Sequence, residues 1–296
     1  MGVGLRLGQR LALGDGRALG FDDVGDPQGV EVLYVHGSPD SRRARHPDDT
    51  IAARLGIRLI AVDRPGSGLS TFDPTGTVGS FADDAVALAD HLGVRRWRPL
   101  AWSAGAPFAL ALGARHPGRT AHSAVVAGLV PFAAYAEPGI LDGADGGRQM
   151  VAELGAELGP AGLAEMAAPM LAPYPCDDAL AREHVLEHAD RARRAVLESV
   201  PGALDVLAAG VVDAVAGGLA GLTRDLELQV EEPDVDWSRI TTPVDLWYGE
   251  LDSTAPPSFG AWWADHLPAA ELTVIPHEGH LLALTHWEAI LARLLT

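Results

Sequence analysis

At 296 residues with 48% hydrophobic side chains, the chain has the material for a large core, as one big α/β domain with an insertion or as two domains. Its net charge of −18 argues against nucleic acid or an anionic membrane surface as a partner, and its single cysteine, Cys176, leaves neither an internal disulfide nor a cysteine-based metal site. Arg6, Arg10 and Arg17 interrupt the apolar residues at the start, and no apolar run approaches the ~20 residues of a membrane span, so the expected location is cytoplasmic.

Residues 1–35 read as three strands, with Gly14-Asp15-Gly16 as a hairpin turn and Asp26-Pro27 as a turn before V-E-V-L-Y-V. The third strand runs into His36-Gly37-Ser38-Pro39, a loop at a strand's carboxyl end, where open α/β sheets place ligands. A helix is expected around Asp48 to Leu55, then the strand I-R-L-I-A-V, ending in Asp63-Arg64-Pro65-Gly66-Ser67-Gly68. Ser80 is expected to open the next helix through a capping pattern, and Gly93 to stop it.

The stretch from Trp97 to Pro117 then reads as strand, sharp turn and helix with Ser103 at the apex. Such a turn strains its apical residue and needs small neighbours, here Ala101 and Gly105. It lifts the hydroxyl clear of the sheet and sets the Ala104 amide at a helix N-terminus, aimed at an oxyanion. The pattern is that of the nucleophile elbow G-x-S-x-G with alanine for its first glycine, and a serine that caps a buried helix is the alternative. Pro99 is awkward in a central strand, so either the strand starts later or the sheet is locally irregular.

One more strand, A-H-S-A-V-V-A-G-L, precedes a lapse in the alternation. Residues 131–236 are helical in pattern and carry −14 of the net charge. Solvated helix faces explain that acidity, and a pocket for a cationic group is the sharper alternative. The sheet pattern resumes with V-D-L-W-Y ending in Gly249-Glu250-Leu251-Asp252, followed by a helix near Phe259 to His266 and the strand E-L-T-V-I. Pro276-His277-Glu278-Gly279-His280 and a closing helix from Leu281 to Leu295 complete the chain. Strands alternating with helices in this way predict a mostly parallel, doubly wound sheet of about eight strands.

Four motifs in order, H-G-S-P at 36–39, D-R-P-G-S-G at 63–68, W-S-A-G at 102–105 and the pair G-E-L-D and E-G-H, make almost the whole chain resemble the α/β-hydrolase superfamily. The similarity is to the capped branch of carboxylesterases, proline-iminopeptidase-like enzymes and carbon–carbon bond hydrolases. It implies a core of residues 1–130 and 237–296 with a helical cap at 131–236. It implies Ser103 as nucleophile, His280 as base and then acid, and Asp252 as the residue that orients the imidazole. The backbone amides of Ser38 and Ala104 would form the oxyanion hole, with His36, Gly37, Asp63 and Gly105 supporting the surrounding loops. His277 is the rival base; Gly279 before His280 favours the latter. A serine in place of aspartate sets aside the epoxide hydrolases and haloalkane dehalogenases.

Implied, then, is hydrolysis of an ester, lactone or similar acyl bond in a small, largely apolar molecule, with no metal or organic cofactor. An aminopeptidase or an acyltransferase using the same serine, and a non-catalytic binding protein, are the alternatives. Glu153, Glu157, Glu183 and Glu187 are candidate partners for an ammonium group, and Arg42, Arg43 and Arg45 for a carboxylate, with solvated surface roles the simpler account of both sets. His184-Val185-Leu186-Glu187-His188 matches the H-x-x-E-H zinc motif, but no third ligand stands out.

Overall fold

The computed structural model describes residues 4–296; residues 1–3, where the first expected stretch begins, lie outside the described residues. The strands are β1 (Gly4–Ala12), β2 (Ala18–Gly25), β3 (Val30–Val35), β4 (Ile57–Val62), β5 (Arg98–Trp102), β6 (Ser123–Val126), β7 (Val244–Gly249) and β8 (Ala270–Ile275). They form one sheet in the order β1-β2-β4-β3-β5-β6-β7-β8. β2 pairs antiparallel with β1 and β4, and every pairing from β4 to β8 is parallel. The fold expected from the alternation of strands and helices is therefore the one observed.

Strand order reverses between β3 and β5, so the loops that leave their carboxyl ends diverge and open a crevice. Ser38 stands on the first of these loops and Ser103 on the second. The sheet is held by strands buried on both faces: Val32, Leu33, Tyr34 and Val35 have no exposed surface, and Leu59 to Val62 next to none.

The outer layers are α1 (Thr50–Arg54), α2 (Val78–Leu92), α3 (Ala106–Arg115), then α4 (Gly146–Leu171), α5 (Asp178–Glu187), α6 (Arg191–Ser199), α7 (Ala203–Ala214) and α8 (Ala220–Leu228) between β6 and β7, and finally α9 (Pro257–His266), α10 (Leu282–Thr285) and α11 (Trp287–Arg293). Among the described residues, 131–236 thus contain helices and no strand. α4 is kinked where Gly159, at φ 68°, precedes Pro160. No single described helix is long and apolar enough to cross a membrane, although α6 and α7, bent by 112°, pass that test as a pair.

Three local expectations are corrected. α2 begins at Val78, not Ser80: Thr77 caps it, and Ser80 is the third residue in, reaching back to the Thr77 amide to close a reciprocal capping box. The closing helix is two short helices, α10 and α11, because His286 leaves helical geometry at φ −110°, ψ 14°. Arg42 and Arg45 neither solvate a surface nor face a substrate. Arg42 contacts Asp22, Asp63 and Asp213, and Arg45 contacts Asp22 and Asp49, all within 3.1 Å, while only Arg43 of the three is exposed.

Pro99 lies inside β5, in register with Leu33 of β3. On the other side of β5, Trp97 bridges Thr120 but Leu100 pairs with Ala124, so the register slips by one residue across Pro99. The sheet is locally irregular there, which accommodates the missing amide hydrogen.

Candidate active site

β5 delivers the chain to Ser103, which sits at φ 54°, a left-handed conformation costly for any residue with a side chain. The strain persists because the turn is fixed on both sides. Gly105 lies so close to the end of β3 that a Cβ there would stand 2.5 Å from the Val35 carbonyl oxygen and 2.6 Å from that of His36. Opposite, a Cβ on Gly37 would come 3.0 Å from the Ser103 Cβ. The two loops therefore touch through glycines, and the serine hydroxyl stands between them and the N-terminal end of α3.

His280 Nε2 is 3.0 Å from Ser103 Oγ, and His280 Nδ1 is 2.8 Å from Asp252 Oδ2. With the Nδ1–H donating to the carboxylate, Nε2 is left as the acceptor for the serine hydroxyl. Asp252 is itself fixed: its Oδ1 accepts the amides of Thr254 and Ala255 at 2.9 and 3.0 Å. Trp102 Nε1–H donates to the His280 carbonyl at 3.0 Å and ties the imidazole segment to the elbow. His277, the rival base, points away from the serine; its side chain is 90% exposed beside Glu250.

Neither the Ser38 nor the Ala104 amide finds a backbone acceptor among the described residues. Ser38 shares the cleft wall with Ser103, and Ala104 is the next residue in the chain after it. Arg64, which sequence reading passed over, underlies this wall. Its backbone amide donates to His36 Nε2 at 3.0 Å, its Nε donates to the His36 carbonyl, and its guanidinium pairs with both carboxylate oxygens of Asp225 on α8. Burial and the nearby Arg64 charge hold the His36 imidazole well below the usual histidine range, so it is the neutral acceptor that the Arg64 amide requires. Asp63 accepts the amides of Arg42 and Leu69 at 2.8 Å each and so ties the loop after β3 to its own.

The serine opens into a cleft of about 170 Å³ whose far wall is formed by Tyr174, His184, Leu207 and Val211 from the helical segment. Glu153, Glu157, Glu183 and Glu187 are all exposed, because each lies on the outward face of its helix, so none forms a buried carboxylate for a cation. His184 and His188 stack at 4.2 Å on α5 and just beyond it. Among the described residues no group of three or more His, Cys, Asp or Glu side chains converges as a metal site would need, so the H-x-x-E-H segment supplies a pair without a third ligand. Cys176 is exposed rather than packed.

A family model described as the alpha/beta hydrolase family matches residues 32–293. A proline iminopeptidase from Xanthomonas citri is 32% identical over 127 residues, which is 40% of this chain and 38% of that protein. The chain thus spans well under half the length of that relative. A pimeloyl-[acyl-carrier protein] methyl ester esterase from Neisseria meningitidis is 26% identical over 90% of this chain and 93% of its own length. Among solved structures, an alpha/beta hydrolase fold protein from Nakamurella multipartita superposes with a TM-score of 0.66 at 26% identity, covering 97% of this chain and 98% of that one.

Proposed function

The chain belongs to the alpha/beta hydrolase family, and we propose that within it this enzyme is a serine hydrolase that cleaves an ester or lactone of a small, largely apolar molecule. The observation that carries the reading is the unbroken hydrogen-bond path from Ser103 through His280 to Asp252. Ser103 Oγ attacks the acyl carbonyl as His280 Nε2 takes its proton. Asp252 holds the tautomer and stabilises the imidazolium. The amides of Ser38 and Ala104 receive the oxyanion, His280 returns the proton to the leaving alcohol, and water repeats the sequence on the acyl-enzyme. Residues 131–236 act as the cap over a core of 1–130 and 237–296. Trp102, Val185, Leu207, Val211 and Leu281 make much of the cleft wall apolar, which supports the substrate class.

Intact-protein mass spectrometry after treatment with a fluorophosphonate tests the assignment. One adduct on wild type, absent from Ser103→Ala, is expected, together with turnover of p-nitrophenyl butyrate. Asp252→Asn should keep the fold and lower kcat by ~10³- to 10⁴-fold, through loss of the required tautomer. A Ser103→Ala protein that retains full activity would overturn the mechanism.

A further inference from the structure

One carboxyl in the cleft has no partner. Asp40 follows the Ser38-Pro39 loop and shares the cleft wall with Ser103, Tyr174 and Leu207. Its side chain is pressed against α7 so closely that a Cβ on Gly210 would collide with Oδ1. The acids around it are matched: Asp22 and Asp63 have Arg42, Asp213 has Arg42, and Asp225 has Arg64. Asp40 has no hydrogen bond and no ion pair among the described residues; what acts on it is burial and the more distant charges of Arg64 and Asp225.

Arg64 does not serve as its counter-ion. That guanidinium is occupied by Asp225 and by the carbonyl oxygens of His36 and Gly37. Arg193, the arginine that lines the cleft, donates to the His188 carbonyl and to Thr254. Burial and the Asp225 charge therefore hold the Asp40 carboxyl well above the usual carboxylate range. Asp40 is half-buried and lines the cleft. Tyr174 lines the same wall, and burial together with the Asp40 charge raises its phenol above the usual range.

We infer that Asp40, with the Tyr174 hydroxyl beside it, is a subsite for a protonated amine on the substrate, so that the acyl bond attacked by Ser103 belongs to a molecule that also carries an ammonium group. This rests on Ser103 being the nucleophile of the same cleft. A cation supplies what the protein withholds from Asp40: an opposite charge and hydrogen-bond donors at a half-buried carboxylate. The chain's charge of −18, most of it on the helical segment above the cleft, raises the local concentration of cations and repels substrate carboxylates. A neutral hydroxyl gains only the hydrogen bond, so the two classes are separable.

The test is calorimetric titration at pH 7.5 with hexylammonium and with 1-hexanol, on wild type, Asp40→Asn and Tyr174→Phe, each checked for folding by its melting transition. Wild type is expected to bind the ammonium ~10-fold tighter than the alcohol, a preference lost in Asp40→Asn and reduced in Tyr174→Phe. Equal affinity of wild type for the two ligands overturns the inference, as does an ammonium preference that survives Asp40→Asn. Should Asp40→Asn fail to fold, the wild-type comparison and Tyr174→Phe still decide it. A wild type that forms no fluorophosphonate adduct sinks the serine-hydrolase reading alone, because the titration needs no turnover.

Discussion

Arg64 Nη2 donates a 2.6 Å hydrogen bond to the carbonyl oxygen of Gly37, and the planar peptide held by that bond is the one whose amide hydrogen belongs to Ser38. A trans peptide places its oxygen and its hydrogen on opposite sides, so clamping the Gly37 oxygen fixes the direction of the Ser38 N–H. The positive charge also polarises the unit and strengthens the donor.

Arg64→Met should therefore lower kcat for p-nitrophenyl butyrate by ~10- to 100-fold while KM changes little, the pattern of an interaction made mainly in the transition state. A trifluoromethyl ketone, which presents an oxyanion, should lose affinity in parallel. A purely structural role would instead lower the melting temperature and leave the ratio of kcat to inhibitor affinity unchanged.

Gly105→Ala tests how tightly α3 must approach β3. The new methyl would face two backbone carbonyl oxygens, that of Val35 at the end of β3 and that of His36 just beyond it. A loss of ~1–3 kcal/mol in urea unfolding is expected, with a slower fluorophosphonate reaction as the elbow shifts. Gly118→Ala is the control: open space surrounds that position, and stability should stay within about 0.5 kcal/mol of wild type.

His36 sets a pH dependence of stability. Its folded pKa lies below the ordinary histidine value, so the unfolded chain binds more protons as pH falls. The stabilisation from neutral His36 is complete above about pH 6.5 and is lost progressively below it, by at most ~1.4 kcal/mol per pH unit. Urea unfolding between pH 7.5 and 5 should show that slope in wild type and a shallower one in His36→Gln.

The mostly parallel sheet of eight strands was legible in the chain, as was the place of Ser103, Asp252 and His280 at strand ends, because each depends on local signals. A buried run that ends in a turn names a strand's carboxyl end, and three reactive residues at three such ends face one crevice. The start of α2 was misread because Thr77 and Ser80 both look like caps, and the capping box uses both. Charge pairing was not legible at all. Arg42 finds Asp213 171 residues away and Arg64 finds Asp225 161 residues away, and nothing in a local window distinguishes those arginines from solvated ones. Asp40 escaped for the converse reason: its distinction is the absence of a partner, which only the packed structure exposes.

The helical segment between β6 and β7 also limits how such enzymes can be recombined. Asp213 caps Arg42 and its carbonyl accepts the Gly68 amide at 2.9 Å, Asp225 holds Arg64, and Asp234 accepts the Gly79 amide at 2.8 Å. The backbone of Gly221 meets that of Gly66 with no room for a side chain on either. A chimera carrying a relative's segment in this place would take from Arg64 its carboxylate partner and from Arg42 one of three, and crowd a glycine contact, unless the graft brought its own acids at matching positions. The part of the molecule that looks most exchangeable is thus written into the arginines of the loops below it.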